Sequence, residues 1–171
     1  MRILIATDGS EFSRKALEKA CEIAQGRDEV SFRVVSVYEP QVPMAAEPYA
    51  LSAQYFERLD GLARERAEET ARSGADFIRS KFTNRSFEIE SVAEFGRPAQ
   101  IIVQTADDWG ADLIVVGSHG HGFWGRLALG SVSDAVLHHA PCSVLVVRGN
   151  GAPAAGTWEK EVKPAVEPPP A

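Results

Sequence analysis

The sequence predicts an α/β fold, a doubly wound open parallel sheet of about five strands with helices on both faces. Three observations carry that expectation. Short apolar runs alternate along the chain with segments whose apolar residues recur at helical spacing. One run, Ala111 to Val116, is almost continuously apolar, as a parallel strand covered on both faces should be. The connections between runs are long enough to be right-handed crossovers.

Arg2 to Thr7 reads as the first strand, closed by the turn residues Asp8, Gly9 and Ser10. Ser10 stands where a helix N-cap is expected, Phe12, Ala16, Leu17, Ala20, Cys21 and Ala24 follow at helical spacing, and Gly26 marks the stop. Val30 to Tyr38, rich in valine, is a second strand, and Pro40, Pro43 and Pro48 then impose a loop. Phe56, Leu59, Ala63, Ala67, Ala71 and Ile78 mark the apolar face of a long helix. Its charges, including Arg64 and Glu68 four residues apart, form a solvated face.

Phe87, Ile89, Ser91 and Ala93 alternate with polar neighbours, the pattern of a half-covered strand near a sheet edge. Pro98 starts the next helix and Gly110 ends it. After Ala111 to Val116 come a glycine-rich loop, a helix through Ala135, Val136 and His139, a stop at Pro141, and a last apolar run from Cys142 to Val147. Residues 1–148 thus make one domain, and the Pro- and Ala-rich stretch 149–171 reads as a disordered tail.

A 44% hydrophobic content supplies a full core, and a net charge of -6 without basic runs argues against nucleic acid or an anionic membrane as partner. No apolar run approaches the roughly 20 residues of a membrane helix. Cys21 and Cys142, both in apolar stretches, read as core thiols, and a cytoplasmic location is the expectation.

The chemistry concentrates between Gly117 and Ser131. Glycines let backbone N–H groups approach an anion, and Ser131 and Ser133 stand where the next helix begins. No lysine lies in the loop, which excludes a P-loop. Gly120, Gly122 and Gly125 match the dinucleotide fingerprint literally, but they precede Leu127 rather than opening a helix and lack the later ribose-binding acid, so the match is fortuitous. The spacing Gly117-x2-Gly120-x9-Gly130-Ser131, within this order of elements, resembles the ATP-binding members of the universal stress protein family, over Arg2 to Arg148.

The resemblance implies a fold of the adenine nucleotide α-hydrolase-like type and a set of contacts. Asp8, with Ala6 and Thr7 beside it, is similar to the family's acidic turn that meets adenosine, and Val37 to the position whose backbone reads the adenine edge. Gly117, Gly120, Gly130, Ser131, Val132 and Ser133 match positions that hold ribose and triphosphate, with Mg2+ or Mn2+ accompanying ATP. It also implies a homodimer through the last strand and leaves room for a client protein. Phe123, Trp124 and Gly125 depart from the usual family loop.

Blander uses compete at several positions. Asp8 has a competing use as a turn residue, which the presence of the loop ranks behind binding, and Ser131 and Ser133 have one as an N-cap pair, which is compatible with an anion site. The four histidines, His119, His121, His138 and His139, do not make a zinc set: the last two are adjacent on a helix and point about 100° apart. The function expected is an ATP-binding stress-response regulator. The alternatives are a slow ATPase or phosphate-transferring enzyme, disfavoured because Arg126 is the loop's only cation, and a partner-binding module that holds ATP structurally.

Overall fold

A computed structural model describes residues 1–39, 53–120 and 129–148. The tail, the prolines at 40, 43 and 48, and the loop residues His121 to Ala128, with Phe123, Trp124 and Arg126, lie outside the described residues. The elements run β1 (Arg2–Ala6), α1 (Glu11–Ala24), β2 (Ser31–Tyr38), α2 (Ala53–Lys81), β3 (Glu88–Phe95), α3 (Pro98–Trp109), β4 (Leu113–Gly117), α4 (Ser131–His139) and β5 (Ser143–Val147). The five strands form one parallel sheet in the order β3-β2-β1-β4-β5.

Alternation along each strand divides the core between the two faces. Ile3, Ile5, Phe32, Val34 and Val115 turn toward α1 and α2, where they meet Ala16, Leu17, Ala20, Ala75 and Ile78. Leu4, Val35, Ile114 and Val116 turn toward α3 and α4 and meet Ile102, Ala106 and Val136. The central strands β1 and β4 are buried on both sides, which is why their sequences show no polar interruption.

Local signals hold at most helix ends. Ser10 caps α1 by accepting a hydrogen bond from the Ser13 amide at 3.2 Å, a contact worth about 1 kcal/mol. Pro98 opens α3, and Gly110 closes it in the left-handed conformation, φ 65°. β3 lies at one edge of the sheet, as its alternation indicates, and β5 at the other.

The structure corrects three expectations. Phe56 is not on the buried face of α2: it is exposed, as are Tyr55 and Leu62, and burial begins at Ala67. The reason is length, since 29 helical residues extend about 43 Å whereas an eight-residue strand covers about 26 Å, so the first turns of α2 overhang the sheet. Cys142 precedes β5 rather than starting it and is half-buried, while Cys21 is buried. The two thiols belong to opposite faces of the sheet. Finally, Gly130 is the N-cap of α4, with no capping side chain, in place of the expected serine pair.

Candidate nucleotide site

In a doubly wound sheet the C-terminal strand ends part where the order of connection reverses, and a crevice opens there. Here the reversal falls between β1 and β4: β2 and β3 follow outward on one side, β4 and β5 on the other. A cavity of about 410 Å³ lies at that point, within the range of small-molecule sites. All ten residues expected from the sequence line it, namely Ala6, Thr7, Asp8, Val37, Gly117, Gly120, Gly130, Ser131, Val132 and Ser133. The chemistry of its walls divides in two.

One wall is apolar. Val35 and Val37 from β2, Pro98 and Ile102 from α3, and Val116 from β4 form it. Of these the sequence reading picked out only Val37. Pro98 and Ile102 are four apart and so share a helix face, a signal present in the chain, but nothing local says that this face meets the end of β2.

The other wall is polar backbone. The first amides of a helix have no intrahelical acceptor, and in α4 no side chain supplies one. The helix α1 differs, because Ser10 fills that role. In α4 the Ser133 hydroxyl, which would be placed to cap, instead donates backward, lying 2.9 Å from the Gly130 carbonyl and 3.1 Å from that of Ser118. The Gly130 amide donates to the same Ser118 carbonyl at 2.7 Å. These bonds tie the two ends of the glycine loop together and leave the amides of the first turn of α4 beside the cavity, at the positive end of the helix.

The glycines are required by close approach. A Cβ on Gly117 would stand 2.8 Å from the Phe12 carbonyl carbon and 2.9 Å from its Cβ, so β4 and α1 meet with no room for a side chain. A Cβ on Gly130 would lie 3.1 Å from the Ser118 carbonyl oxygen. At Gly120 the neighbour is the Asp8 carboxylate, whose Oδ2 lies 2.7 Å from the Cβ position.

Asp8 makes the turn contact that its place before Gly9 and Ser10 predicts, and it also lines the cavity. Its Oδ1 accepts from the Ser10 amide at 3.0 Å, the turn use, while Oδ2 lies against Gly120 at the cavity wall. Behind it, Thr7 and Ser13 are buried with their hydroxyls 3.2 Å apart, and the Ser13 hydroxyl donates to the Ser10 carbonyl at 3.0 Å. His119 also lines the cavity; its Nδ1 lies 3.0 Å from the Ser118 hydroxyl and its ring packs 5.3 Å from that of Phe12. His138 and His139 lie elsewhere, each bonding through Nδ1 to a carbonyl of its own helix.

Comparison with protein-family profiles matches residues 1–148 to the universal stress protein family. The chain belongs to that family. Among universal stress proteins, one from Thermus aquaticus is 37% identical over 146 residues, spanning 85% of this chain and 97% of its own. The solved structure of UspA from Lactobacillus plantarum, 28% identical, superposes with a TM-score of 0.70 over 86% of this chain and 97% of that one. A universal stress protein from Archaeoglobus fulgidus, solved in complex with dAMP, has the same fold, with a TM-score of 0.58 and 24% identity over 86% of this chain and 97% of its own.

Among the described residues no helix is long and apolar enough to cross a membrane, and no group of three His, Cys, Asp or Glu side chains could hold a metal ion by itself.

Proposed function

We propose that this universal stress protein is a cytoplasmic regulator that binds ATP, with Mg2+ or Mn2+, in the cavity between β1, β4 and α4. The observation that carries the reading is the division of the walls. The adenine ring suits the apolar wall of Val35, Val37, Pro98 and Ile102, and the phosphates suit the amides at Ser131 to Ser133. The dAMP complex of the Archaeoglobus fulgidus protein supports an adenine nucleotide as the class of ligand.

Asp8 bears on the cation. A carboxylate facing a phosphate-binding loop repels the triphosphate unless something positive or hydrogen-donating comes between. The ribose hydroxyls satisfy that need on one side. Among the described residues lining the cavity, Asp8 is the one carboxylate that would hold a hard divalent ion. A bound cation would neutralise phosphate charge; the residues themselves orient the nucleotide and exclude water from its base.

This reading favours binding over turnover. Of the titratable side chains lining the cavity, Asp8 and His119 are the candidates for a base, and no Lys or Arg lines it among the described residues. Without a cation clamp on the moving phosphate or a base placed to orient water, binding of the nucleotide does not by itself accelerate the chemical step. The edge position of β5, with Val144, Leu145, Val146 and Val147 only partly covered, supports the pairing of two copies along that strand.

The test is thermal unfolding with and without saturating ATP and Mg2+. A ligand bound only by the native state raises the midpoint by mass action, so the midpoint should rise. An unchanged midpoint together with no heat of binding in calorimetry would remove the reading.

A further inference from the structure

A second cleft, about 430 Å³ in volume, opens on the other face of the sheet between the start of α1 and the middle of α2. Helix α2 carries two rows of side chains. Ala67, Ala71, Ala75 and Ile78 are buried. Arg66, Thr70 and Ser73 line the cleft opposite Ser10 and Arg14 of α1. At its floor the helices close together over Leu17, because Gly74 has no side chain: a Cβ there would lie 3.0 Å from Val34 Cγ1 and 3.4 Å from Leu17 Cδ1. Above that floor the rim carries the polar side chains of Arg66, Thr70 and Ser73 on one side and Ser10 and Arg14 on the other. Two packed helices ordinarily fill such a seam with apolar side chains; here the rim is polar and the groove is open to solvent.

The charges in the cleft are Arg14, Arg66 and Glu69. Arg14 is engaged with Glu18 at 3.5 Å, whereas Arg66 makes no ion pair among the described residues. The α1 N-terminus is already capped by Ser10 and contributes little. Thr70 already donates to the Arg66 carbonyl at 2.8 Å, so what remains is the Arg66 guanidinium beside the Ser73 hydroxyl, with Glu69 at the same rim, over an apolar base of Leu17 and Phe77. That arrangement fits an anionic head on a short apolar body.

We propose that this cleft is a second ligand site, for a small organic phosphate or carboxylate held by Arg66 and Ser73. It is separate from the nucleotide cavity but shares a wall with it, since Thr7 and Ser13, bonded to each other at 3.2 Å, line both. Communication through that wall rests on the nucleotide reading; the site itself does not.

The test is amide NMR of the full chain titrated with phenyl phosphate and, in a parallel arm, with benzoate, each with and without ATP and Mg2+. Saturable shifts are expected at residues 9–14 and 66–77 in both nucleotide conditions, and the two probes distinguish a phosphate from a carboxylate head. Arg66→Ala, on an exposed helical surface, should raise the apparent Kd about tenfold by removing the charge-assisted hydrogen bonds. Ser73→Leu, which fills the cleft, should abolish the shifts while leaving residues 117–120 and 130–133 unperturbed. Shifts confined to residues 117–120 and 130–133, or no saturable shift with either probe, overturn the proposal. The nucleotide reading fails separately, by an absence of shifts with ATP alone.

Discussion

The carboxylate of Asp8 occupies the space that a side chain on Gly120 would need, with Oδ2 2.7 Å from the Cβ position. The glycine therefore answers first to the turn after β1 and only through it to a ligand. Gly120→Val should abolish the ATP-induced rise in melting midpoint and leave the far-UV dichroism intact, since Gly120 is exposed and outside the core. Asp8→Gly combined with Gly120→Ala should tolerate the new methyl group better than Gly120→Ala alone. Equal losses of loop stability in the two backgrounds, by urea titration, would contradict the contact.

Gly117 differs, because its obstacle is backbone. A Cβ there meets the Phe12 carbonyl carbon at 2.8 Å, and neither β4 nor α1 has a side-chain rotamer with which to give way. Gly117→Ala should destabilise the whole domain by about 1–3 kcal/mol, the usual cost of overpacking, measured as a lower urea midpoint at unchanged slope. A neutral effect would mean that α1 shifts freely.

Ser133 is buried and ties α4 to the end of β4 through the Ser118 and Gly130 carbonyls. Ser133→Ala should cost about 1 kcal/mol, a typical net value for an intramolecular hydrogen bond. It should also weaken ATP binding by loosening the loop. Ser131 is exposed at the start of α4, so Ser131→Ala should leave unfolding unchanged and act on nucleotide affinity alone. Calorimetry and urea unfolding on both variants separate the two roles.

Cys21 gives a pH signature. Burial pushes its thiol up from an ordinary 9.0 to about 11. A folded-state value above the unfolded one means that the unfolded chain loses its proton first, so the stabilising contribution is complete below pH 9 and is lost as pH rises toward 11. Unfolding free energy should fall across that window, and Cys21→Ala should flatten the fall. In the native protein a thiol reagent should label Cys142, which is half-buried, before Cys21.

Light scattering at micromolar concentration should give twice the 18.5 kDa chain mass, and phosphate release from ATP should stay below about 1 s⁻¹, the low end of ordinary enzyme turnover. A monomer mass removes the β5 pairing. Faster release that disappears in Ser131→Ala would establish an enzyme.

The sequence by itself determined the elements and their order, because strand alternation, helical spacing, Ser10, Pro98 and Gly110 all act within a few residues of themselves. It also marked the candidate loop, since the glycine spacing from Gly117 to Ser131 is a property of one segment, whereas Ala6, Thr7, Asp8 and Val37 entered through the family resemblance. Only the tertiary structure decided what those residues face. The apolar wall joins the end of β2 to Pro98 and Ile102, which are far apart in sequence. The overhang of α2 follows from the length of a sheet assembled out of other segments. Asp8 meets Gly120 because β1 and β4 are neighbours in the sheet. Local patterns record which conformation a segment prefers; they carry no record of which distant segment will pack against it, and a binding cavity is made of such encounters.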